Sequence, residues 1–385
     1  MAGVKHDFDP DAPAGPGSGL FGLSPSPDEA RVHVVPVPFD ATTSYRQGAA
    51  KAPVAVLAAS HQVDLFDLSV GRPWEAGIWL SPSDGRVERW NDEARALARP
   101  IIDAGGRIEG ERALERGLER VNAIGSEVNA WVRERTEGVL SAGKLPVILG
   151  GDHSVPFGAL EAAAARHPGL GILHFDAHAD LRVAYEGFTW SHASIFWNVL
   201  ERLAGVERLV QVGLRDLGEA EHERIVASEG RVRALFDVDW ARARFEGRLR
   251  ERVRETLALL PGEVWVSFDV DGLDPVLCPN TGTPVPGGFA WHEAMLWLEE
   301  LSRCGSRVVG VDLCEVSPGP GGDPEGVGWD AAVGARLLYR LIGTALVAGG
   351  LPGAPGSAGA VDRSGRRRGG EKEKEGADPT GQSEV

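Results

Sequence analysis

At 385 residues, with 43 % apolar and 25 % charged residues, the chain has a globular composition and is long enough for one large α/β domain or two ordinary ones. Its net charge of −16 excludes a nucleic-acid surface, which needs a basic stripe, and its three cysteines (Cys278, Cys304, Cys314) form neither a CxxC pair nor a disulfide framework. No apolar run approaches the roughly 20 residues of a membrane span, and MAGVKHDFDPDAPAGPGSG lacks the basic start and apolar stretch of a secretory signal. The expectation is a cytoplasmic protein with no membrane and no nucleic-acid partner.

Residues 1–30 and 350–385 are rich in Pro, Gly, Ser and charge and show no apolar periodicity, so both ends are expected to be disordered or loosely attached. The residues between them, 31–349, read as a single domain. Its first strand is VHVVPVPF (Val32 to Phe39), and a helix follows near Pro53 to Ser60. The stretch from Gly71 to Pro100, with Trp74, Trp79 and Trp90 among scattered Pro and Gly, fits neither period and reads as an irregular insertion with one short strand. From Glu111 the apolar positions Leu114, Leu118, Val121, Ile124, Val128 and Trp131 recur every three or four residues, which specifies an amphipathic helix.

Strands and helices then alternate. The strand LPVILGG (Leu145 to Gly151) precedes a helix over Phe157 to Arg166, and GILHFDAHAD precedes a helix from Ala193 to Leu203. RLVQVGLRD (Arg208 to Asp216) and RVRALFD come next, followed by one long helix from Trp240 to Leu260. VWVSFDVD, a helix from Trp291 to Arg303, RVVGVDLCEV and a last helix from Ala331 to Val347 complete the domain. Strands apolar on both faces and separated by helices imply a three-layer α/β/α fold around a mostly parallel sheet of about eight strands.

The charged motifs all fall at strand C-termini, where open α/β sheets place their ligand sites. In DAHAD, Asp176, His178 and Asp180 alternate with period two, so an extended chain points all three the same way; Asp269 and Asp271 of DVDGLD repeat the pattern. Leu145 to Gly151 delivers Asp152 and His153 to the same edge. His153, Asp176, His178, Asp180, Asp269 and Asp271 are therefore six candidate metal ligands, with Asp152 a further carboxylate that orients rather than ligates. A His and Asp set without Cys suits Mn²⁺, Ni²⁺, Co²⁺ or Zn²⁺. Four carboxylates exceed the needs of one divalent ion, and two ions sharing them would acidify a water between them.

GGDHS at 150–154, DAHAD at 176–180 and SFDVDGLDP at 267–275, in this order, resemble the ureohydrolase family of arginases, agmatinases, guanidinobutyrases and formiminoglutamases; TSYRQG at 43–48 resembles the family's opening loop. The resemblance covers roughly 32–349 and implies an arginase-like fold. It also implies that one ion takes His153, Asp176, Asp180 and Asp269 and the other His178, Asp176, Asp269 and Asp271, with Mn²⁺ the usual metal and Ni²⁺ an alternative. Asp180 would also hold the reacting water. WSHASIF (Trp190 to Phe196) resembles a His-bearing agmatinase segment, which makes His192 a general acid or proton shuttle, and EVSP (Glu315 to Pro318) resembles the segment whose Glu accepts hydrogen bonds from the substrate guanidinium. A homo-oligomer, trimer or hexamer, is implied as well.

The implied activity is hydrolysis of a guanidino C–N bond to urea and an amine, agmatinase-like. The loop Leu181 to Trp190 has no Asn and one Thr, which disfavours arginine as substrate; Arg182 and Glu186 are candidates to meet a substrate carboxylate and amine respectively, the alternative for each being a solvated loop charge. Trp190, Trp329 and the Trp residues of 71–100 are expected to narrow the pocket toward a small guanidino compound or guanidine itself. The alternatives are a guanidinobutyrase or guanidine hydrolase, a formiminoglutamase-type amidine hydrolase, and a metal-binding module without turnover.

Overall fold

The computed structural model describes residues 8–83, 85–319 and 328–350. Its strands are β1 (Val32–Pro36), β2 (Ile78–Leu80), β3 (Leu145–Leu149), β4 (Leu170–Phe175), β5 (Val206–Leu214), β6 (Val232–Phe236), β7 (Glu263–Asp269) and β8 (Arg307–Cys314). They form one sheet in the order β2-β1-β3-β8-β7-β4-β5-β6, and every pairing is parallel. Parallel neighbours need crossovers, and ten helices supply them: α1 (Ala52–Ser60), α2 (Arg86–Asp103), α3 (Arg112–Ser141), α4 (Phe157–Arg166), α5 (Ile195–Arg202), α6 (Glu219–Ala227), α7 (Asp237–Phe245), α8 (Leu249–Leu257), α9 (Trp291–Leu301) and α10 (Trp329–Ala348).

Alternation along the strands divides the core in two. Leu173 and Phe175 of β4, with Val264, Val266 and Phe268 of β7, join the layer that contains α1, α9 and α10. Leu170, Ile172 and Trp265 face the opposite layer, built on α2 to α5. Both faces are apolar, as expected for a sheet covered on both sides.

Four expectations need correction. The stretch 71–100 is not irregular: it carries β2 and most of α2, whose buried positions Val87, Ala94, Ala98 and Ile101 keep helical spacing. Small Ala residues carry that stripe, which is why it reads poorly as an apolar pattern. The long helix from Trp240 breaks at Gly247 (φ 70°) into α7 and α8. α10 is long and apolar enough by length and composition to cross a membrane, contrary to the sequence reading, but 78 % of its apolar window is buried inside the fold, as in a core helix.

The fourth correction concerns the N-terminal segment, which is not loose throughout. Leu20, Phe21 and Leu23 are buried in the core, the Phe21 amide donates to Ser60 Oγ at 2.8 Å, and its ring meets Tyr339 of α10 edge-on with centroids 4.8 Å apart. Three buried side chains without periodicity anchor a segment that composition alone marks as open. Truncating this anchor, Phe21→Ala, is expected to cost about 3–5 kcal/mol of unfolding free energy in a urea titration. A loss below about 1 kcal/mol would mean that the segment contributes no core.

Candidate metal centre

The five strands β3, β8, β7, β4 and β5 are consecutive in the sheet, so their C-terminal ends form one continuous edge. Residues remote in sequence meet there. Beyond β4 the chain stays extended, with His178 bridging Asp216 in parallel fashion, so the period of two persists through the motif. Asp180 then turns into the left-handed region (φ 54°), and its carbonyl receives the Phe196 and Trp197 amides at the start of α5. Beyond β7, Asp269 Oδ1 accepts the Asp271 amide at 2.7 Å and Asp271 Oδ1 accepts the Ala177 amide at 3.0 Å, which leaves their second oxygens directed into the site.

Two constellations result. His153 Nδ1 lies 3.0 Å from Asp176 Oδ2, 3.3 Å from Asp180 Oδ2 and 3.4 Å from Asp269 Oδ2. His178 Nδ1 lies 2.9 Å from Asp271 Oδ2 and 3.4 Å from Asp176 Oδ1. Asp176 thus offers one oxygen to each. All six sequence-derived ligand candidates converge here, and Asp152 turns its carboxylate to Ser154 and Thr43 instead.

The donor set fits cations. Asp176, Asp180, Asp269, Asp271 and Glu315 are none of them more than 4 % exposed. Two carboxylates 4 Å apart repel by about 4 kcal/mol at an effective dielectric of 20. Burial and the adjacent acids push Asp180 up to about 7 and Asp269 well above the usual carboxylate range. Burial opposes a charge on His178, but Asp271 and Asp176 outweigh it and raise the ring to about 12. The protons on the histidine nitrogens stand where positive ions would. Oxygen and imidazole donors without thiolate suit borderline-to-hard divalent metals.

Several contributors escaped the sequence reading. His153 Nε2 lies 2.9 Å from Ser267 Oγ, and Ser267 donates to Asp312 Oδ1 at 2.9 Å. Because the hydroxyl proton is committed to Asp312, Ser267 accepts from Nε2–H, which directs Nδ1 at the carboxylates and frees its lone pair for a cation once the Nδ1 proton is displaced. Trp265 Nε1 fixes the other oxygen of Asp312 at 2.6 Å. His174 lies 2.8 Å from Asp176 Oδ2 through Nε2 and meets Gln211 Nε2 through Nδ1 at 3.0 Å; burial lowers it to about 4, so it is neutral and orients Asp176. One further step of the DAHAD alternation reaches His174, whereas Ser267 and Asp312 resemble ordinary strand interior. Ser267→Ala should weaken metal affinity about 10–100-fold in a chelator competition, and unchanged affinity would remove Ser267 from the support of His153.

Beside these donors lies a cavity of about 190 Å³, lined by His178, Asp180, His192, Ser44 and Thr283, with Arg182, Tyr185, Asp216 and Glu221 among its other walls. His192 begins a short 3₁₀ turn capped by Ser191, and its Nδ1 is buried with no hydrogen-bond partner among the described residues. Burial and the nearby His178 lower it to about 4. Glu315 (φ 64°) accepts the His153 amide on Oε1 at 3.1 Å, while its buried Oε2 has no partner among the described residues.

The tryptophans do not wall this cavity. Trp190 donates to Ser126 Oγ and packs on Phe157, Trp329 donates to the Val276 carbonyl, Trp74 meets Phe8 and Trp79 meets His33. Arg182 is in the wall as expected; Glu186 is not.

A sequence model of the arginase family matches residues 30–343. The N(1)-aminopropylagmatine ureohydrolase of Thermus thermophilus is 34 % identical over 326 residues, 84 % of this chain and 94 % of that one. The guanidinobutyrase of Pseudomonas aeruginosa is 30 % identical over 80 % of this chain and 84 % of its own length. Among solved structures, the agmatine ureohydrolase of Thermoplasma volcanium superposes with a TM-score of 0.62 at 25 % identity, covering 84 % of this chain and 92 % of that one. With the family's fold, its motifs in order and a match over most of its length, the chain belongs to the arginase family and is a hydrolase of C–N bonds in linear amidines.

Proposed function

We propose that the chain hydrolyses agmatine or a related small guanidino compound to urea and an amine, as a cytoplasmic homo-oligomer carrying two divalent ions, Mn²⁺ before Ni²⁺. The observation that carries the reading is the buried Oε2 of Glu315, unpaired among the described residues, beside the His and Asp cluster. A carboxylate oxygen without a donor, in a protein of this family, is an acceptor suited to the N–H donors that a planar guanidinium supplies.

In this reading His153, Asp176, Asp180 and Asp269 would hold one ion, and His178, Asp176, Asp269 and Asp271 the other. When bound, the ions would lower the pKa of a water and polarise the substrate. The residues do the rest. Glu315 Oε2 accepts N–H bonds from the guanidinium and turns its central carbon toward the water. Asp180, whose carboxylate points at the same spot as His153 Nδ1, holds the water's proton. As the water oxygen bonds to the guanidinium carbon, its proton passes to Nδ1 of the neutral His192, which gives it to the departing amine as the C–N bond breaks. Without such help a guanidinium, with a pKa of about 12.5–13.8 in arginine, is a poor electrophile.

The tail of the substrate meets the outer wall, where the exposed carboxylate of Asp216 suits the ammonium of agmatine. Arg182, in the same wall, favours a second reading, a carboxylate tail as in guanidinobutyrate. The test is urea release from agmatine, guanidinobutyrate, guanidinopropionate, arginine and guanidine by protein stripped of metal and reloaded with Mn²⁺ or Ni²⁺. Urea from agmatine above the others supports the first reading, and guanidinobutyrate as best substrate supports the second. No urea from any compound, with two ions bound per chain, sinks both.

A further inference from the structure

The cavity wall draws on two loops that follow β1 and β4: residues 41–48 supply Ser44, and residues 181–190 supply Arg182 and Tyr185. Neither loop is held by the metal ligands alone. The 41–48 loop is gripped by α2. Asn91 Oδ1 accepts the Asp40 amide at 2.8 Å, and Arg95 Nη1 donates to the carbonyls of Ala41 at 3.2 Å and Thr43 at 2.7 Å. Asp40 in turn closes the loop by accepting the Gly48 and Ala50 amides. Arg95 is half-buried, and the acids it faces include Asp40 and Asp152.

The second loop meets the same helix at Glu186. Gly106, just beyond α2, lies so close to it that a Cβ would come within 2.8 Å of the Glu186 Cα. Glu186 is held in the left-handed region (φ 51°), and its Oε2 is buried with no hydrogen-bond partner among the described residues. Burial raises its carboxyl, and the one charge that favours ionisation is Arg95. The grip on 41–48 is therefore made of hydrogen bonds, while at 181–190 the end of the helix offers a close packing contact.

We propose that Arg95 is a positioning residue for the substrate cavity: from α2 it holds the 41–48 loop by the carbonyls of Ala41 and Thr43, and so places Ser44 in the cavity wall. Arg95 does not line the cavity, so it acts on the substrate only through that loop. The kinetic arm of the test rests on the proposed urea release; the second arm does not.

Arg95→Ala, Arg95→Lys and Glu186→Gln are compared with the unmodified protein in steady-state urea release, metal content and amide hydrogen exchange. For Arg95→Ala, KM should rise about tenfold with kcat changed less than about twofold, because the cavity wall is loosened while the chemistry is not. Amide exchange should accelerate in residues 41–48 with two ions still bound. Arg95→Lys should recover most of the KM, since an ammonium can reach the same carbonyls. Glu186→Gln should leave exchange in 41–48 unchanged, because the two carbonyl bonds do not involve it. If the unmodified protein releases no urea, the proposed activity fails while exchange still decides the role of Arg95. Unchanged exchange in 41–48 with a lowered melting temperature would reduce Arg95 to a scaffold contact and overturn the proposal, as would a fall in kcat that tracks metal loss.

Discussion

Asp176→Ala is expected to lower kcat/KM for urea release by at least about 10³-fold, ~4 kcal/mol of transition-state stabilisation, and to bring metal content below two ions per chain. The size follows from position. Asp176 is the residue whose two oxygens face different histidines, Oδ2 toward His153 and Oδ1 toward His178, so one substitution strips both constellations. It also leaves His174 Nε2 without its acceptor in a fully buried place. Urea assay and elemental analysis on the same preparation check the result. Two ions retained with full activity would show that the bridging arrangement is wrong.

Glu315→Gln is expected to lower kcat/KM about 10²–10³-fold with metal content unchanged. Glutamine keeps the shape and can still accept the His153 amide, but its NH₂ then points where Oε2 pointed, so donor faces donor when a guanidinium arrives. The metal-free protein adds a test of sign. Burial, with Asp152 and Asp271 nearby, holds the Glu315 carboxyl well above its ordinary range. A folded-state pKa above the unfolded one means that the stability tied to its proton is present at low pH and lost as pH rises through the folded value. Metal-free Glu315→Gln should therefore lose less stability than the parent as pH rises above the ordinary carboxylate range. Parallel stability curves would place Glu315 outside the repelling cluster.

The metal centre was legible because chelation demands a short, rigid spacing, and DAHAD and DVDGLD present that spacing at strand ends with no other use for so many acids. The sheet was legible for a related reason: its strands are apolar on both faces and bounded by helices. What did not show was carried by residues that look ordinary in sequence. The apolar stripe of α2 is made largely of alanine, so its helix passed for an irregular insertion. Ser267 and Asp312 read as strand interior, and only the pairing of β7 with β8 sets them side by side. Leu20, Phe21 and Leu23 have no period at all, and their burial depends on Tyr339 and Ser60, far along the chain.

The position of β8 bears on how the chain comes off the ribosome. It is the last strand among the described residues, yet it lies inside the sheet between β3 and β7. Until residue 314 has emerged, both of those strands present an unpaired apolar edge, the kind of edge that recruits other chains. The sheet therefore cannot grow outward from a finished centre; it waits for its middle. Glu315 follows directly on that strand, so the joining of His153, on the β3 side, to the acids of β4 and β7 coincides with the arrival of the carboxylate proposed to seize the substrate. One strand thus completes both halves of the site together.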